Sequence, residues 1–91
     1  MATLGLEIEN LIRFRLGLGE EVAYNIASGL EESEEIRWYA LGLVLGALAM
    51  KKRYEPDPKI DELIEELNQL DIRSKDGLEK FRDLLKDYLG E

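Results

Sequence analysis

The chain has 91 residues, 45% hydrophobic and 35% charged, with a formal net charge of −8. That length makes one domain (residues 1–91) with a single core. The apolar share argues against disorder, and the acidic balance against a primary grip on nucleic acid, which needs clustered Lys and Arg. There is no Cys and no His, which excludes disulfides, thiolate nucleophiles and Cys-based zinc sites and removes the commonest general base and transition-metal ligand.

The N-terminus MATLGLEIEN lacks the basic region and apolar run of a secretory signal, so a cytoplasmic location is expected. Glu and Lys are abundant beside three Asn and one Gln, which leans towards a thermophile-like composition.

The apolar period is helical throughout, with no sustained strand alternation. The expected fold is all-α: a small bundle of about five helices around a central apolar helix at about residues 34–54. The first helix runs from about Leu4 to Leu16, with Leu4, Ile8, Leu11, Ile12 and Leu18 on one broad face. Glu9 and Arg13 stand a turn apart on the other and pair weakly. Gly17-Leu18-Gly19 ends it. No strand precedes these glycines and no Lys-Ser/Thr follows, so they read as a helix stop rather than a phosphate loop. The second helix begins near Glu20, with Val22, Ala23, Ile26, Ala27 and Leu30 as its apolar face and Gly29 near its end.

Ser33 is the expected N-cap of the third helix, which carries Glu34 and Glu35 in its first turn and Lys51, Lys52 and Arg53 in its last, as the macrodipole favours. Asp57-Pro58 opens the fourth. There Ile60, Leu63, Ile64, Leu67 and Leu70 share one face, and Asp61, Glu62, Glu65 and Glu66 lie mostly on the other. Residues 71–75 form a loop. Asp76 and Glu79 have capping-box spacing for the fifth helix, which buries Leu78, Phe81, Leu84, Leu85 and Tyr88.

Trp38 to Met50 carries no charge and no side-chain amide. It is expected either as the buried axis of the bundle or as the seam between two copies. At 3.6 residues per turn, Leu41, Leu45 and Leu48 form one ridge below Trp38, and Ile36, Tyr39, Leu43 and Met50 another. Between them Gly42, Gly46 and Ala49 form a shallow lane. A glycine inside a helix costs about 1 kcal/mol against alanine, and close approach of a second helix is the natural compensation. The expected interface is therefore Trp38, Gly42, Gly46 and Ala49, facing a helix of this chain or of a second copy. Gly42 and Gly46 also match the spacing of membrane helix pairs. However, the uncharged stretch spans only about 20 Å, against about 30 Å for a bilayer core, so no membrane span is expected.

Glu31, Glu32, Glu34 and Glu35, and Asp61, Glu62, Glu65 and Glu66, are the carboxylate clusters to weigh as Mg²⁺ ligands. Acidic residues leading into EEIRWYALGLVLGALA (residues 34–49) resemble the MazG family. The resemblance implies a Mg²⁺-dependent all-α nucleotide pyrophosphohydrolase, with Glu32 and Glu35 matching the first E-x-x-E pair. The second pair, with Asp leading an apolar helix, is absent, and Arg37 stands close to where an acid is wanted. Solvated faces and dipole-matched helix starts account for the same acids. The C-terminal end of a helix accounts for Lys51, Lys52 and Arg53. Ser28 and Ser33 have no histidine or suitably placed lysine near them in sequence, so nucleophilic catalysis has no support.

The leading expectation is a non-enzymatic helical protein–protein interaction or assembly module that self-associates, as a homodimer first. No catalytic residue, cofactor or metal site is expected, nor a nucleic-acid partner. One alternative is an acidic regulator binding a basic protein partner, as antitoxins, immunity proteins and nucleic-acid mimics do. The other is the Mg²⁺-dependent pyrophosphohydrolase.

Overall fold

Thr3 opens the first helix of the computed structural model, which describes residues 3–89: its hydroxyl accepts the Leu6 N–H at 3.2 Å. Helix α1, Leu4–Asn10, continues without a break into a π-helical segment, Leu11–Arg15, where the Leu16 N–H reaches back to the Leu11 carbonyl at 3.1 Å. The wider turn has a packing reason. Ile8, Ile12 and Leu16 recur every fourth residue, a spacing that drifts around an α-helix and that a π turn brings back into line. All three are buried. Gly17, at φ +81°, then ends the helix in the left-handed region. The expected Glu9–Arg13 pair does not form. Past the Gly17 turn, Glu20 comes within 3.5 Å of Arg13 and pairs with it.

Helix α2, Glu20–Leu30, buries Ala23, Ile26, Ala27 and Leu30. Val22, expected inside, is 49% exposed, because the buried stripe is narrower than the apolar one. Gly29 sets the spacing to the next helix: a Cβ there would meet Ile36 Cγ2 at 3.2 Å and Ala40 Cβ at 3.4 Å. Within the chain a close helix approach is made at Gly29, and none is made over Gly42 or Gly46 among the described residues.

Helix α3, Glu34–Tyr54, starts after Ser33, whose hydroxyl makes no capping bond. It buries Ala40, Leu41, Val44 and Leu48. Asp57 caps α4, Pro58–Asn68, by accepting the Lys59 N–H at 2.9 Å, and α4 buries Ile60, Leu63 and Leu67. Helix α5, Lys75–Leu89, is capped by Ser74 rather than Asp76: the Gly77 N–H donates to Ser74 Oγ at 3.0 Å. Gly77 is required by its neighbour, since a Cβ would overlap the Asp71 carbonyl. Of the expected inner residues of α5, Leu78, Phe81 and Leu85 are buried, while Leu84 and Tyr88 are half-buried.

The helices close a ring: α1 packs on α2, α2 on α3, α3 on α4, α4 on α5, and α5 back on α1. One cluster of buried apolar side chains draws on every helix. Helices account for about 80% of the chain, and among the described residues there is no strand. Polar ties brace the ring. Arg82 holds Glu7 at 3.2 Å, joining α5 to α1. Arg37 Nη1 donates to the carbonyls of Ile72 (3.3 Å) and Arg73 (2.6 Å), joining α3 to the loop before α5. Among the described residues, no helix is long and apolar enough to cross a membrane.

Candidate interaction surface

Each helix of a ring presents one face inward and one outward. On α3, side chains at about 100° per residue sort cleanly. Ala40, Leu41, Val44 and Leu48 point into the core, and Leu45 lies at its edge. Trp38, Tyr39, Gly42, Leu43, Gly46, Ala49 and Met50 all lie on the outward side and are exposed. The uncharged stretch is therefore not a buried axis within one chain. The Leu41–Leu48 ridge is core, and the Tyr39–Leu43–Met50 ridge is surface. Sequence reasoning could not divide them, because the residues of both ridges are equally apolar.

This outward face is large for so small a protein. Trp38 is 43% exposed, Tyr39 71%, Leu43 44% and Met50 52%. A Cβ built on Gly42 or Gly46 meets no atom within 4 Å, so nothing among the described residues covers the lane. The four residues expected at an interface, Trp38, Gly42, Gly46 and Ala49, do share one face. Tyr39, Leu43 and Met50 belong to the same face and were legible only as a flanking ridge. Most surface apolar residues are scattered and carry no meaning, whereas a contiguous patch does.

Charge flanks the patch at both ends. Glu34 and Glu35 stand at the start of α3, and Lys51, Lys52 and Arg53 at its end. Lys51 pairs with Glu55 at 3.6 Å and Lys52 with Asp61 at 2.6 Å. Neither Glu35 nor Arg53 has an ion-pair partner among the described residues.

The carboxylates weighed as metal ligands do not converge. Glu31, Glu32, Glu34 and Glu35 are all exposed, as are Asp61, Glu62, Glu65 and Glu66. Among the described residues, no three acidic side chains are grouped so as to hold a metal ion. Arg37, near the position where the MazG resemblance wants an acid, is spent on the Ile72 and Arg73 carbonyls. The groove between α4 and α5 is lined by Glu66, Lys80, Asp83 and Asp87 around Leu70 and Leu84, an open arrangement of surface charges. Tyr88 at its margin donates to Glu62 at 3.3 Å. Burial of the ring and the Glu62 charge both hold the Tyr88 phenol above its ordinary range.

Comparison with family models, with curated proteins and with solved structures yields no match. The functional reading therefore rests on the surface itself.

Proposed function

We propose that this chain is a non-enzymatic helical interaction module that self-associates through the outward face of α3, as a homodimer. The observation that carries the reading is the contiguous exposed patch of Trp38, Tyr39, Leu43 and Met50 beside two glycines with open space above them. Fully burying a large apolar side chain is worth about 1.5–3 kcal/mol. These four are roughly half exposed, so covering them returns about 1 kcal/mol each. A twofold contact uses each residue twice, which gives about 8 kcal/mol in all. Association costs about 4–15 kcal/mol. Against the lowest of these costs the surplus is about 4 kcal/mol, a dissociation constant of about 1 mM, so the dimer is weak and forms at high concentration.

Sedimentation velocity over a wide concentration range tests this. The mass should double with concentration, and Leu43→Lys, which puts a charge on the patch at an exposed position, should remain monomeric with unchanged helix content. A wild-type chain that stays monomeric throughout, or a Leu43→Lys variant that associates as the parent does, would overturn the reading.

A second reading, an acidic regulator of a basic protein, is supported by the outward face of α4, where Asp61, Glu62, Glu65 and Glu66 are exposed. Its mark is capture of a basic partner that weakens as salt rises.

A further inference from the structure

We infer that the two copies meet antiparallel across α3, with the twofold axis at the level of Val44. This rests on the self-association proposed above and adds its geometry. The outward residues fall symmetrically along the helix. Gly42 and Gly46 lie equally far on either side of Val44. So do Tyr39 and Ala49, Trp38 and Met50, and Glu35 and Arg53. Val44 itself is fully buried and points directly away from this face, so the axis passes over its backbone.

The azimuths agree with the spacing. Glu35 and Arg53 are about five full turns apart and share one line along the helix, the midline of the exposed face. Gly42 and Gly46 sit just to either side of that line. Trp38 and Met50 stand further out, on opposite sides. An antiparallel twin places Gly42 across from Gly46 of the second copy, so the backbones approach where the face has no side chain. Trp38 then lies against the small Ala49 of the twin, on the same side of the midline. Tyr39 meets Met50 of the twin on the other side, a ring beside an adaptable thioether.

Charge selects the same orientation. Antiparallel packing sets Glu35 opposite Arg53 of the twin, and symmetry repeats the pair. Both side chains are exposed and unpaired among the described residues. It also sets the acidic start of each helix beside the basic end of the other, and opposes the macrodipoles favourably. Parallel packing would set Glu35 against Glu35 and Arg53 against Arg53. Complementary charges fix register and exclude the wrong arrangement more than they add affinity.

The test is a charge swap read by sedimentation equilibrium at low and high salt. Glu35→Arg and Arg53→Glu should each weaken the dimer about tenfold at low salt, because each turns two weak attractions into two repulsions. The double variant should recover to within about threefold of the parent. High salt should shrink every difference. Circular dichroism of each variant controls for folding. Single swaps that leave the dimer unchanged, or a double variant no tighter than the singles, would overturn the antiparallel register while leaving self-association standing. A parent chain that never doubles its mass would instead remove the reading on which the register rests.

Discussion

Replacing Gly46 with alanine should stabilise the isolated chain and weaken its association with itself. The first effect follows from helix propensity. An interior glycine costs about 1 kcal/mol against alanine, and the added Cβ meets nothing within 4 Å, so no packing penalty offsets the gain. In a domain of this size, 1 kcal/mol raises the melting temperature by about 4–8 °C. The second effect follows from the lane. The same methyl group would stand where two α3 backbones approach most closely, and symmetry places it there twice. Keeping the helices apart by even part of a methyl radius loses contacts along the whole crossing, and 1.4 kcal/mol is tenfold in affinity. The assay pairs thermal melts at limiting dilution, where the monomer dominates, with sedimentation across concentration, since association itself raises the apparent melting temperature. A lower melting temperature in the dilute variant would mean that another part of the chain covers Gly46. A raised melting temperature with unchanged association would mean that the lane is not the contact.

Gly77→Ala is the opposite case. Its Cβ would overlap the Asp71 carbonyl, so a loss of about 1–3 kcal/mol is expected despite better helix propensity, and a urea midpoint equal to the parent's would contradict this. Arg37→Leu should cost about 1–2 kcal/mol in denaturant unfolding, because the Ile72 and Arg73 carbonyls lose their donor; no measurable cost would show that water replaces it freely. The Arg73 side chain, donating at 2.9 Å, and then its backbone N–H hold the Asp71 carboxyl below the usual carboxylate range. A depressed folded value means that this contribution is fully present above the ordinary unfolded value and is lost as pH falls through the folded one. Asp71 is exposed, so its effect on stability is small, and the direct check is an NMR titration in which Arg73→Gln moves the Asp71 midpoint upward.

The helical frame was legible because its signals are local. Gly17, Asp57-Pro58 and the periodic Leu and Ile positions of α4 and α5 act within a few residues of themselves. The π segment after Asn10 was not legible, because it answers to the depth at which Ile12 and Leu16 must reach the core. Nor was the Ser74 cap: Asp76 and Glu79 offered a competing box, and the geometry of the loop around the buried Ile72 decided between them. At the candidate surface, the sequence identified a run of α3 whose glycines call for an explanation. The division of that run into an inner and an outer face came from α2 and α4, which cover one side only. Gly29 shows the same limit: there the close approach is made by α3 of the same chain, whereas no described residue lies over Gly42 or Gly46, and nothing in the sequence marks the three glycines apart.

The central claim, that the outward face of α3 is the self-association surface, is tested most directly by Trp38. It is the chain's only tryptophan, it is 43% exposed on that face, and its fluorescence reports its own surroundings. A dilution series should show the Trp38 emission moving to longer wavelength over the same concentrations at which sedimentation shows the mass halving. A mass that halves with no change in emission would place the contact elsewhere on the molecule, and an emission and mass that never change would contradict self-association altogether.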